Sequence, residues 1–381
     1  MAERVVVAMS GGVDSSVAAW LLVEQGYEVI GLFMRTGVHT DPDSSSAGHG
    51  CRSSRTRGCC SSLDAADARH VAAKLGIPFY ALDFQREFGA IMDYFADEYY
   101  AGRTPNPCVV CNNWLKFGEL YRFARALGAQ RIATGHYARL LRGTRGIELH
   151  KARDPLKDQS YVLFGIRRSV LEDVLFPLGD YAKSQVRELA RRHGLAVADK
   201  PDSQEICFVP DGDYVAFLRR HRPGTSTAGK IIDCSGRVLG EHQGIEHFTI
   251  GQRKGLGLAL GEPYYVVDII ARENLVVVGP REACSARGLI AREVNWLDDV
   301  EGAERICQVK IRYRSPAVAA RVRLLPQEKA EVVFDQPQLA VTPGQAAVFY
   351  DGTRVLGGGW IESALGLRSC PQRLTLALPV V

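Results

Sequence analysis

The sequence predicts an α/β protein: a Rossmann-like, doubly wound parallel sheet, then a small central domain and a C-terminal antiparallel β-barrel. Three observations carry this. Apolar strand-like runs alternate with helical runs through the first part of the 381 residues. A glycine-serine loop, SGGVDSS at 10–16, lies between the first strand and the first helix. After residue 210 short alternating runs broken by turn residues take over.

In order, RVVVAM at 4–9 reads as a buried strand, and Val17, Trp20, Leu21 and Glu24 follow at helical spacing up to Gly26. YEVIGLFM at 27–34 is the next strand. Residues 63–75 place Ala68, Val71, Ala72 and Leu75 on one helical face. IPFYALDF at 77–84 is a strand, 113–126 a helix, and RIATGH at 131–136 opens a further strand. Ligands of such sheets bind beyond the carboxyl ends of the strands, where the 10–16 loop falls. Farther on, Val309, Ile311 and Tyr313 alternate with Lys310, Arg312 and Arg314, and Asp351-Gly352 between apolar runs signals a hairpin. The expected domains are 1–210, 211–285 and 286–381. Residues 37–58, rich in Ser, Gly and Arg, read as a long polar insertion.

Hydrophobic residues are 46% of the chain and charged residues 24%, as in a soluble globular protein with a sizeable core. The net charge of +4 gives little whole-chain attraction to nucleic acid. Local clusters give more: Arg139, Arg142, Arg145, Lys151, Arg153 and Lys157, then Arg187, Arg191 and Arg192, then Arg219, Arg220 and Arg222. These are phosphate-backbone candidates or simply solvated faces. No leader and no membrane-length apolar run is visible, so the expected location is the cytoplasm, with no membrane contact. There the ten cysteines are expected as thiols or metal ligands, not disulfides.

The loop poses a chemical question. Gly11 and Gly12 let the backbone curl so that consecutive N–H groups face an anion, Ser10, Ser15 and Ser16 add hydroxyls, and the helix beginning near Asp14 presents its positive end. A Walker loop adds a lysine for γ-phosphoryl transfer, and this loop has none. A cradle without it suits pyrophosphate as a leaving group, with chemistry at the α-phosphate of ATP.

SGGVDSS resembles the pyrophosphatase loop of the adenine nucleotide alpha-hydrolase superfamily. Further motifs narrow the resemblance: GRTPNPCVVCNNWLKFG at 102–118, DSQEICFVPDGDY at 202–214, KDQSYVLF at 157–164, GHYAR at 135–139, FTIGQRKGLG at 248–257, KIRYRS at 310–315 and TPGQAAVFY at 342–350. Together they resemble the tRNA-specific 2-thiouridylase (MnmA/TrmU) family across nearly the whole chain.

The resemblance implies that ATP, with Mg²⁺, adenylates the C2 oxygen of a tRNA wobble uridine, and that sulfur then displaces AMP. By motif position Cys111 matches the nucleophilic cysteine and Cys207 the persulfide carrier. Ala8, Met9, Ser10, Gly11, Gly12, Val13, Asp14, Ser15, Met34 and Gly135 match ATP-contacting positions. Asn106, Pro107 and Cys108 match the target-base segment. Lys157, Asp158, Gln159, His136, Arg312, Tyr313 and Gln345 match tRNA-contacting positions. Implied partners are the tRNA and a cysteine desulfurase or sulfur-relay protein; a monomer or weak dimer is expected. Residues 105–115 are expected to lack order without RNA.

The sequence departs from the family at Cys108, where much of the family has an aspartate acting as general acid or base. The departure creates Cys108-x-x-Cys111. With Cys207 these could ligate a [4Fe–4S] cluster, with the metal-free persulfide route and a zinc site as alternatives. Cys59 and Cys60 have no assigned role. Cys51, Cys234, Cys284, Cys307 and Cys370 are expected to be structural. The competing function is an ATP-pyrophosphatase ligase using a nitrogen nucleophile, which would not need the cysteines.

Overall fold

The computed structural model describes residues 2–37, 62–202, 206–299 and 302–366. The chain forms two compact units: Met1–Asp93 with Pro107–Phe217 and Thr353–Leu356, and Tyr94–Asn106 with Leu218–Gly352 and Gly357–Val381.

The first unit is built on β1 (Arg4–Ala8), α1 (Val13–Glu24), β2 (Glu28–Arg35), α2 (Ser62–Leu75), β3 (Phe79–Asp83) and most of α3 (Gln85–Tyr100). Then come α4 (Pro107–Val110), a π-helical stretch (Cys111–Leu120), α5 (Tyr121–Ala126), β4 (Arg131–Thr134), the hairpin β5 (Ala138–Gly143) and β6 (Gly146–Lys151), α6 (Arg168–Leu171), β7 (Val174–Leu175) and α7 (Lys183–Arg192). The sheet order is β3-β2-β1-β4-β7, with every neighbouring pair parallel. Val5 and Val7 pack with Val17 and Ala18 of α1, Ala68 of α2 and Val186 of α7. Val6, Leu32 and Ile132 alternate to the opposite face and are equally buried. A sheet covered on both faces explains why these strands read as continuous apolar runs.

Two expectations need correction here. Residues 105–115, expected to lack order, are helical from Pro107 onward, with proline at the first helical position, where its missing N–H costs nothing. The helix expected over 113–126 therefore begins earlier, and its first half is a π-helix, a winding often found at functional sites.

The second unit takes the end of α3 and the later residues of α8 (Tyr214–His221), and holds a sheet of β8 (Gly229–Asp233), β9 (Val238–His242), β10 (Tyr265–Ile270) and β11 (Leu275–Gly279) in the order β10-β11-β8-β9. Ile231, Val266, Val276, Val278, Phe248 and Ile250 make its core. Six further strands follow: β12 (Ser285–Trp296), β13 (Glu304–Lys310), β14 (Val318–Leu325), β15 (Lys329–Leu339), β16 (Ala346–Asp351) and β17 (Arg354–Leu365). Their order is β12-β15-β14-β13-β16-β17, and β17 pairs back with β12, so the barrel closes and leaves no open edge between its strands. The expected Asp351-Gly352 turn joins β16 to β17, with Gly352 at φ +57°. The alternation through Tyr313 is not all strand. β13 stops at Lys310, and Ser315 N–H donates to the Arg312 carbonyl in a turn.

Candidate active site

The loop stands at the carboxyl end of β1, between Ala8 and the first turn of α1. Gly12 caps that helix in an extended conformation and, as a glycine, has no side chain to bond the N–H groups of the first turn. Those donors and the positive helix end are therefore available to an anion. The serine hydroxyls are spent inside the loop: Ser10 N–H donates to Ser15 Oγ (3.1 Å), Ser15 Oγ to the Gly12 carbonyl (3.2 Å) and Ser16 Oγ to the same carbonyl (2.8 Å). Gly11 adopts φ +71°, and a Cβ there would lie 2.1 Å from the Asp64 carbonyl oxygen, so only glycine fits. At Gly135 a Cβ would lie 2.7 Å from the Ser15 nitrogen, which places β4's exit directly against the loop.

A chain of ion pairs surrounds this cradle. Lys183 Nζ donates to both oxygens of Asp14 (2.8 and 2.7 Å) and lies 2.8 Å from Asp202, and Tyr137 Oη donates to Asp14 (2.7 Å). Lys157 and Arg187 also bind Asp202, at 2.7 and 2.8 Å. Burial would raise the Asp202 carboxyl, but hydrogen bonds from Lys157 and Lys183 outweigh it and bring its pKa down to about 2. Lys200 reaches Asp64 (2.5 Å) and Asp67 (2.7 Å). Lys183 and Lys200 had no sequence signal, and Tyr137 and Asp202, although inside GHYAR and DSQEICFVPDGDY, were given no role, because no spacing rule links any of them to the loop they surround.

The expected cysteines lie on the same unit. Cys108 is exposed in α4, Cys111 is half-buried at the start of the π-helix, and Cys207 is half-buried in a turn; all three are thiols. The next residues, Asn112 and Asn113, each bury a side-chain carbonyl oxygen without a hydrogen-bond partner, while Asn112 Nδ2 donates to the Val162 carbonyl (2.9 Å). Among the described residues, no three His, Cys, Asp or Glu side chains are gathered as metal ligands. Cys108, Cys111 and Cys207 do not form such a group in this arrangement. Cys284 and Cys307 differ in kind: burial pushes their thiols up to about 11 and about 12, as befits packing residues. Cys234 is disulfide-bonded, against the expectation of thiols. Cys51, Cys59, Cys60, Cys370 and nearly all of the 37–58 insertion lie outside the described residues.

Family models match three stretches: a tRNA methyl transferase HUP domain at residues 3–211, a tRNA methyl transferase PRC-barrel domain at 215–280 and an aminomethyltransferase β-barrel domain at 286–361. A tRNA-specific 2-thiouridylase from Geobacter metallireducens is 51% identical, covering 95% of this chain and 98% of that protein. Those from Carboxydothermus hydrogenoformans and Rhodopirellula baltica are 50% and 48% identical, each over 95% of this chain and over 98% and 97% of their own lengths. The chain belongs to the tRNA-specific 2-thiouridylase family.

The positions that the family resemblance marks for tRNA sit in varied surroundings. In the first unit, Gln159 Oε1 accepts from Tyr137 N–H (2.9 Å), and Asp158 accepts from Ala152 N–H, Ser160 N–H and Ser160 Oγ, so both order the local turn. His136 is buried against Thr134 Oγ1 (2.6 Å). Burial and, secondarily, Lys116 hold its imidazole well below its ordinary pKa and so uncharged at neutral pH. In the second unit, Arg312 donates to the carbonyls of Ile250 (3.1 Å) and Ala340 (2.9 Å) and to Thr342 Oγ1 (2.9 Å). Tyr313 is exposed, under the Lys310 ammonium at 5.6 Å from the ring centre. Gln345 Nε2 donates to the carbonyls of Thr104 (2.9 Å) and Pro105 (3.1 Å), just before Asn106 in the chain. The basic clusters are partly self-neutralised, with Arg191 on Asp199, Arg192 on Glu188 and Arg222 on Asp97.

Proposed function

We propose that this chain is a tRNA-uridine 2-sulfurtransferase that uses ATP to activate the C2 oxygen of a wobble uridine and releases AMP and pyrophosphate. The observation that carries the reading is the uncapped N-terminus of α1 at the end of β1, in a loop without its own lysine. Backbone donors there suit a pyrophosphate that leaves as a unit. The uridine oxygen attacks the α-phosphate, the bond to the bridging oxygen breaks, and pyrophosphate departs on the N–H groups of the first turn. Ala8 to Ser15, Met34 and Gly135 form the nucleotide side. Mg²⁺ would be held by Asp14 together with the phosphates and would supply charge neutralisation; one or two carboxylates suffice for such a site.

Sulfur arrives as a nucleophile. Cys207 takes a sulfane sulfur from a cysteine desulfurase or relay protein and becomes a persulfide. Its terminal sulfur attacks C2, directly or as hydrosulfide freed by Cys111, and AMP leaves with the former C2 oxygen. In either order Cys111 and Cys207 end as a disulfide, and a two-electron thiol reductant restores them. Cys108 stands where a proton-moving group is expected. Asn106 and Pro107 would hold the base, while Lys157, Tyr313 and the neighbouring positions line the tRNA path.

The test is direct. The protein is incubated with ATP, magnesium, a cysteine desulfurase with cysteine, a thiol reductant and unmodified tRNA, and the digested RNA is analysed by mass spectrometry. 2-Thiouridine at the wobble position is the expected product. Full ATP-dependent turnover by the Cys111→Ser and Cys207→Ser variants would instead favour the nitrogen-ligase reading.

A further inference from the structure

The loop carries no lysine, yet one touches its backbone from far along the chain. Lys200 Nζ donates to the Gly11 carbonyl (2.8 Å), Asp64 Oδ1 (2.5 Å) and Asp67 Oδ2 (2.7 Å). Three acceptors use all three ammonium hydrogens, so this lysine is not itself poised to grasp a phosphate. Its effect is on the peptide. The Gly11–Gly12 peptide is trans, so the Gly11 carbonyl and the Gly12 N–H point to opposite sides of one plane. A cation that holds the carbonyl on one side aims the N–H to the other. The next carbonyl, that of Gly12, is fixed as well, by Ser15 Oγ, Ser16 Oγ and Ser16 N–H. Two successive carbonyls are thus tied back, and the donors at the start of α1 are left facing out.

Charge gives a second reason. Asp64 is almost wholly buried beside Gly11, and an unbalanced carboxylate there would repel a triphosphate. Lys200 neutralises it and is itself largely buried, with its side chain 14% exposed.

We propose that Lys200 is a positioning residue for the phosphate site: it orients the Gly11–Gly12 peptide toward the anion and cancels the acidic pair beneath it. The proposal rests on the loop being the ATP site. It carries a consequence, because Lys200 precedes Cys207 on one stretch of chain. The segment that carries sulfur then also prepares the phosphate cradle.

Calorimetric titration of the full chain with ATP, Mg-pyrophosphate and AMP tests this without tRNA or sulfur. Lys200→Gln is expected to weaken ATP and pyrophosphate binding by about 10- to 100-fold, the worth of one charge-assisted hydrogen bond. AMP, which lacks the leaving group, should change by less than about twofold. Lys200→Gln strands a buried carboxylate, so the charge-matched Lys200→Met/Asp64→Asn double variant is measured beside it and should show the same selective loss. Unchanged pyrophosphate affinity in a folded variant of either kind, or an equal loss for AMP, overturns the proposal. A wild-type protein that binds none of the three ligands overturns the ATP reading itself.

Discussion

The nucleotide loop and the thiols belong to one structural unit but are built in opposite ways. Around the loop the side chains are tied down: Ser15 and Ser16 to Gly12, Lys183 to Asp14, and Lys200 to Gly11, Asp64 and Asp67. The thiols stand on different pieces of backbone, Cys108 exposed in α4, Cys111 half-buried at the start of a π-helix and Cys207 half-buried in a turn. The two jobs explain the difference. Holding a departing pyrophosphate requires dipoles fixed in advance, since reorienting them would cost the same energy they supply. Relaying sulfur requires a thiol that a donor protein can reach and that then meets another thiol, so access and movement matter more than rigidity. The sharpest way to break this comparison is to remove one thiol. Cys111→Ser or Cys207→Ser should lower 2-thiouridine formation on the order of 10³-fold or more. Affinity for ATP, measured by titration, should be unchanged. A matching loss of ATP binding would mean that loop and thiols are one rigid assembly.

The reverse change comes next in size. Gly11→Ala puts a Cβ against the Asp64 carbonyl, at a positive φ that alanine resists. The loop must shift, and ATP affinity should fall about 100-fold, because several aligned donors are lost at once. Persulfide formation on Cys207, read by mass spectrometry after incubation with a desulfurase and cysteine, should survive. An unaltered ATP affinity would show that the left-handed turn at Gly11 is not needed for the cradle.

This division also explains what could be read from the sequence. The loop was legible because its function is local: glycines, serines and a helix start are adjacent in the chain, and each has a fixed conformational meaning. The parallel sheet was legible because β1, β2 and β4 are buried on both faces and so are apolar without alternation. The ion pairs of Lys183, Asp202 and Lys200 were not, since they join residues distant in sequence whose types are those of ordinary surface positions. The helical start at Pro107 fell in a segment expected to lack order without RNA, and a proline in the sequence does not by itself tell a helix start from a helix break. Gln345 was assigned to RNA by motif position alone. Only the fold shows its bonds to the carbonyls of Thr104 and Pro105.

That contact offers a finer test of the thiol side. Gln345→Ala leaves two carbonyls without their donor and loosens the stretch that leads into Asn106. A lost neutral hydrogen bond is worth about 1 kcal/mol, so the kcat/KM for thiolation should drop about fivefold. Binding of ATP to the loop should not respond. A drop of 100-fold or more would mean that Gln345 touches the RNA directly as well.

The smallest effect expected concerns acid. Asp202 is held at a pKa of about 2 against an ordinary 3.8, with burial opposing and Lys157 and Lys183 prevailing. A carboxyl depressed by folding stabilises the protein at all pH values above its unfolded pKa, and that contribution disappears as pH falls through the folded one. The contribution is therefore complete near neutrality and is lost between about pH 4 and pH 2. The group is partly exposed, so solvent screens it and the slope will be shallow. Asp202→Asn should unfold at lower denaturant concentration than the wild type at pH 7, and the gap should close by about pH 2. A gap that persisted at pH 2 would mean that Asp202 acts by packing and not by charge.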